Sequence, residues 1–147
     1  MRKGYFESIK TQFWTQMNAD YKDFKHKELT EEIMKIFYRV YNKLGYGFLE
    51  KVYENAIMLE FKREGIPAVS QFAIKVVYED KIIGEYFADI LVYNKVIIEI
   101  KAAKSIAIEY GAQLLNYLKA TKIEVGILFN FGPKADFKRK VFDNIRK

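Results

Sequence analysis

Asp89, Glu99 and Lys101 are the residues whose types and spacing could do chemistry. They lie in Ala88-Asp89-Ile90-Leu91-Val92 and Val96-Ile97-Ile98-Glu99-Ile100-Lys101, two apolar runs separated by Tyr93-Asn94-Lys95. That pattern predicts a β-hairpin. Charged side chains on half-buried strands cost free energy unless they are paired or hold a metal. Strand side chains alternate faces, so Ile97, Glu99 and Lys101 share one face. A two-residue loop would set Asp89 opposite Ile100, away from Glu99. A three-residue loop, Tyr93-Asn94-Lys95, sets Asp89 opposite Glu99, and a one-residue slip reverses the faces. The odd loop is expected, with Asn94 in the left-handed conformation it tolerates.

If the two carboxylates converge, they and the backbone carbonyl of Ile100 form an oxygen set suited to a hard cation, magnesium or manganese. Such a cation activates water and neutralises charge on a phosphate, while Lys101 can orient the water or stabilise the developing negative charge. The chemistry would be phosphodiester hydrolysis. A lone Glu-x-Lys on a strand is more commonly a solvated face with a cross-strand ion pair. The fuller order of helix glutamate, strand aspartate, strand Glu-x-Lys and helix glutamine is what lifts the hairpin above that explanation.

Composition narrows the classes. The chain has 147 residues, half of them hydrophobic and 16% aromatic, which suits one globular domain with a real core. The absence of cysteine excludes disulfides, thiol catalysis and cysteine zinc sites, and the single histidine, His26, argues against a Ser-His triad. His26 itself reads as a solvated loop residue. A net charge of +6 suits a polyanionic partner, although surface lysine alone would also explain it. No apolar run is long enough to span a membrane, and Met1-Arg2-Lys3-Gly4-Tyr5-Phe6 lacks the apolar core of a signal peptide. A soluble cytoplasmic protein is expected.

Residues 1–27 are set apart as an N-terminal extension. Tyr5, Phe6, Ile9, Phe13, Trp14 and Met17 are spaced loosely like an amphipathic helix, which either packs on the domain or a second subunit or stays partly ordered. Residues 28–147 form the domain. A first helix is expected over 31–43, capped by Thr30, with Ile33, Ile36, Phe37 and Val40 on its buried stripe. A second runs over 48–64 and stops at Gly65. On it, Glu50 falls at the edge of the apolar face beside Tyr53 and Ile57. Glu54 lies further round and reads as a solvated flank paired with Lys51 or Lys62. Strands follow at 72–78 and 82–87, joined by Glu79-Asp80-Lys81, with Gly84 marking a bulge or a close backbone approach. After the hairpin come a third helix over 106–120 with Ser105 as a cap, a strand over 125–130, and a last edge strand or short helix over 137–142. Gln113 stands at the edge of the third helix's buried stripe, one turn from Tyr117. A strand-helix-strand unit from Val96 to Asn130 implies parallel pairing in a mixed sheet flanked by helices.

This order of residues resembles the PD-(D/E)XK nuclease superfamily, and within it the GxxExxY proteins. Gly47-Phe48-Leu49-Glu50-Lys51-Val52-Tyr53 matches the naming motif and is followed by Glu54. Gly84 to Asp89 and Ile98-Glu99-Ile100-Lys101 resemble the two catalytic strands. Gln113 to Thr121 resembles the next helix, with Gln113 and Tyr117 fitting a QxxxY motif. Ala88-Asp89 stands where the superfamily name has Pro-Asp. The resemblance covers about 29–142. It implies a restriction-endonuclease-like α/β core, with a mixed four- to five-stranded sheet and helices on both sides. It implies metal-dependent cleavage of nucleic acid, DNA ahead of RNA, with Asp89, Glu99 and Ile100 as ligands. Lys101 would then be the catalytic lysine, Glu50 the helix acid and further ligand, and Gln113 a catalytic residue. Tyr53, Glu54 and Tyr117 would position substrate. The alternative is a binding or assembly module on the same fold that does not cut. A homodimer would supply two sites for a duplex.

Overall fold

The computed structural model describes residues 26–147. The amphipathic stretch from Tyr5 to Met17 lies outside the described residues. The described chain forms helices α1 (Lys27–Leu44) and α2 (Glu50–Glu64), strands β1 (Ala68–Tyr78), β2 (Lys81–Val92) and β3 (Val96–Lys101), helix α3 (Ile108–Lys119), strands β4 (Val125–Phe131) and β5 (Ala135–Val141), and a closing 3-10 turn (Asn144–Arg146). The strands make one five-stranded sheet in the order β1-β2-β3-β4-β5. Only β3 and β4 are parallel, and they are the pair joined through α3. This is the mixed α/β sheet that the sequence predicts.

β3 and β4 are nearly continuous apolar runs because both of their faces are covered. Ile33, Ile36, Phe37 and Val40 of α1 and Tyr53, Ile57 and Phe61 of α2 pack on Ile90, Ile98, Ile100, Ile127 and Phe129. Leu114, Tyr117 and Leu118 of α3 pack on Leu91, Ile97 and Leu128 from the other side. Phe37 stacks on Phe129 at 4.2 Å and meets Phe131 edge-on at 4.9 Å. Each fully buried side chain of this kind contributes roughly 1.5–3 kcal/mol. Arg39 of α1 crosses to Glu60 and Glu64 of α2 at 2.8 and 3.1 Å, fixing one helix on the other.

All three helix starts differ from expectation, that of α2 by two residues, at Glu50 instead of Phe48. α1 begins at Lys27, one turn before the predicted start, and Thr30 lies inside the helix instead of capping it. Leu29 packs against the core, and that burial outweighs a local cap preference. α3 begins at Ile108, not Ile106, with Ala107 extended before it. The connection leading into it is held by Asn130, whose side chain accepts from Ala103 N–H at 2.9 Å and donates to Ala103 O at 3.0 Å. α2 ends as expected, with Gly65 left-handed at φ 70°.

β2 is one long strand where the sequence suggested two short ones. Glu79 and Asp80, at φ 49° and 64°, turn β1 into it, and Lys81 already belongs to the strand. The bulge falls beside Gly84: Val76 pairs with Gly84 and Val77 with Ile82, leaving Ile83 as the extra residue. β2 pairs with β3 only through Ile90–Ile98, Leu91–Ile97 and Val92–Val96. Below Ile90 it continues with β1 alone, as an arm that parts from the rest of the sheet.

Candidate active site at the fork of two strands

The site lies where β2 and β3 part. Tyr93, Asn94 and Lys95 form the three-residue turn between them, so the register runs Val92–Val96 to Ile90–Ile98 and reaches Asp89 and Glu99 next. Both Tyr93 and Asn94 are left-handed, at φ 52° and 56°. Tyr93 N–H donates to Pro67 O at 2.7 Å and Lys95 N–H to Val92 O at 2.9 Å, which holds the odd turn in place.

At the next position the carboxylates replace the backbone ladder. Glu99 Oε1 accepts from Asp89 N–H at 3.0 Å, and Asp89 Oδ2 accepts from Ile100 N–H at 2.7 Å. The strands are thereby joined through side chains, and the two carboxylates converge as the odd loop requires. Glu99 is only 5% exposed. Its carboxyl is pushed up to about 8, first by burial and then by the charge of Asp89. Asp89 is also raised, first by burial, with the Ile100 N–H acting against the rise. Glu54 adds repulsion to both groups, and Lys101 relieves both. Lys101 Nζ rests 4.6 Å from the centre of the Tyr110 ring on α3. Tyr117 of α3 is raised to about 12, by burial and then by the charges of Glu99 and Asp89.

Glu50 and Glu54 of α2 differ from expectation in burial. Glu54 is 3% exposed, ion-paired with Lys51, and accepts a hydrogen bond from Gln71 Nε2 at 2.7 Å. Its pairing with Lys51 was foreseen, but its burial beside Asp89 and Glu99 was not. Glu50, at the first turn of α2, is exposed and enters no hydrogen bond or ion pair among the described residues. Tyr53, expected to position substrate, lies in the core. It is fully buried and stacked on Phe131 at 4.0 Å. Its hydroxyl donates to Gly45 O at 2.7 Å and accepts from Phe48 N–H at 3.2 Å, so it clasps the α1–α2 loop. Gln113 is half-buried one turn before Tyr117. Sequence reasoning missed Gln71, which breaks the β1–β2 pairing at φ 55°, and Asn130, which fixes the segment just after Lys101. A buried asparagine in an apolar strand was a readable signal for the second. Nothing in the periodicity of β1 marks the first.

The donor set suits a divalent cation. Buried carboxylates that repel one another are a surplus of negative charge in a low dielectric, and a hard cation would relieve it. Among the described residues no three Asp, Glu, His or Cys side chains form a ready-made cage. The fit is therefore to an ion held by one or two carboxylates and completed by water, which is how magnesium is commonly bound.

Residues 27–141 match the profile of the PD-(D/E)XK nuclease superfamily. The chain belongs to that superfamily. A PD-(D/E)XK fold is also the expected host for a two-carboxylate strand fork followed by a lysine two residues on. Compared with curated proteins, the sequence has no match. Among solved structures it is similar to the crystal structure of SSO0001, at TM-score 0.51 and 16% identity, over 88% of this chain and 61% of that one. It thus spans less than two thirds of that longer chain. A looser likeness is to an alkaline exonuclease, LHK-Exo, from Laribacter hongkongensis, at TM-score 0.48 and 14% identity, over 83% of this chain and 73% of that one. PD-(D/E)XK nucleases act on nucleic acid and generally use divalent metals. No described helix is long and apolar enough to cross a membrane.

Proposed function

We propose that this PD-(D/E)XK protein hydrolyses phosphodiester bonds, in DNA ahead of RNA, with magnesium or manganese. The observation that carries the reading is the meeting of Asp89 and Glu99 at the strand fork, with Lys101 beside them. Asp89 and Glu99 would hold the ion, with the Ile100 carbonyl as a backbone donor and Glu54 as the helix carboxylate. When bound, the ion supplies Lewis acidity at the phosphate and offsets its charge. Lys101 orients the attacking water and stabilises negative charge developing on the phosphate. Gln113 and Tyr117 border the substrate from α3. The basic surface supplies sequence-independent attraction to a phosphate backbone.

The test is end-labelled single- and double-stranded DNA and RNA incubated with purified protein and magnesium, manganese or chelator. Cleavage of DNA that needs the metal and stops with chelator is the expected result. Nucleic-acid binding without cleavage in every condition would favour a non-catalytic module on the same fold.

A further inference from the structure

Gln71 stands at the position on β1 that should pair with Asp89, between the pairs Ser70–Ile90 and Phe72–Ala88. It does not complete that pair. Its φ of 55° lies in the left-handed region that a residue with a β-carbon seldom enters, and such outliers collect at functional sites. The reversal lets its side chain reach α2, where Nε2 donates to Glu54 Oε1 at 2.7 Å. Gln71 is exposed, but an ordinary strand glutamine would keep the pleat. This one bonds a carboxylate of another element at the expense of a ladder position.

We infer that Gln71 is a positioning residue: from the β1 position facing Asp89 its amide holds Glu54 of α2 at the strand fork, where that carboxylate would hold a water of a divalent cation bound by Asp89 and Glu99. The inference rests on the metal-dependent reading of the site.

Manganese is the probe, titrated into the full chain by calorimetry and followed by its electron spin resonance signal. Gln71→Gly removes the amide while relieving the backbone, and Gln71→Asn tolerates the left-handed φ but is one methylene too short to reach Glu54. Both variants should melt at or above the wild-type temperature and bind manganese about tenfold more weakly, the usual scale for losing a partner that orients a metal ligand. In a Glu54→Ala background, Gln71→Gly should weaken binding little further, because Gln71 acts through Glu54. Wild-type affinity retained in both Gln71 variants would overturn the role of Gln71 while leaving the site intact. Failure of the wild type itself to bind manganese would overturn the metal reading, and this inference with it.

Discussion

Glu99 accepts a hydrogen bond from the backbone N–H of Asp89, and Asp89 accepts one from the N–H that comes after Glu99 in the chain, that of Ile100. Each carboxylate thus takes the place of a ladder hydrogen bond on the opposite strand. The exchange opens the sheet at one point, and there it sets two buried carboxyl groups side by side. The folded domain bears this cost in its metal-free form.

The first prediction arises from that cost. The Glu99 carboxyl rises from 4.5 to about 8 in the folded protein. Its proton is held more tightly when folded, so the stability it gives is complete below about 4.5 and is lost as the pH climbs through about 8. Glu99→Gln keeps an acceptor for Asp89 N–H and carries no charge. Thermal melts in chelator at about pH 6 and about pH 9 should show a fall for the wild type that is smaller in the variant. Equal falls would mean that Glu99 is not buried as a strained carboxyl.

Metal affinity should depend on the same proton. Below about 8, Glu99 must release its proton before it can serve as a ligand. Manganese affinity measured by calorimetry should therefore strengthen by up to about tenfold per pH unit as that value is approached, and level off above it. Calorimetry in buffers of different ionisation enthalpy should reveal proton release on binding.

Glu54 and Glu50 offer a direct contrast. Glu54 is buried and coupled to both site carboxylates, whereas Glu50 is exposed. Glu54→Gln should lower manganese affinity and cleavage rate by about ten- to a hundredfold. Glu50→Gln should change either by less than about threefold, near the limit of a surface substitution. The reverse ranking in single-turnover assays would restore Glu50 as the helix acid.

Tyr53→Phe should separate fold from function. It keeps the stack on Phe131 and loses the hydroxyl's bonds to Gly45 O and Phe48 N–H. Denaturant unfolding should find it destabilised by about 1–3 kcal/mol. The cleavage rate per folded molecule should stay within about twofold of wild type, since a fully buried ring does not meet substrate.

The hairpin was legible because strand side chains have a period of two. Once three residues are allotted to the turn, the meeting of Asp89 with Glu99 is a consequence of register. The buried stripe of α1 and the Gly65 stop were legible for similar reasons of periodicity and backbone freedom. Glu54 was misjudged because angular position around a helix does not say what the sheet presents opposite it. Here that is Gln71, turned by a backbone reversal that leaves no mark in β1's pattern. The segment before α3 is held by Asn130 gripping Ala103, a contact between residues 27 positions apart that no local cap signal records.

The central claim, that the Asp89–Glu99 fork cleaves phosphodiester bonds, is tested most directly by single-turnover cleavage of end-labelled DNA with manganese. The comparison is between wild type and Glu99→Gln, each shown to be folded by its melting curve. The predicted result is metal-dependent cleavage by the wild type and a loss of about a thousandfold or more in the variant, the scale of removing a central catalytic group. Equal cleavage by the two folded proteins, or none by the wild type with any metal or nucleic acid, would contradict the claim.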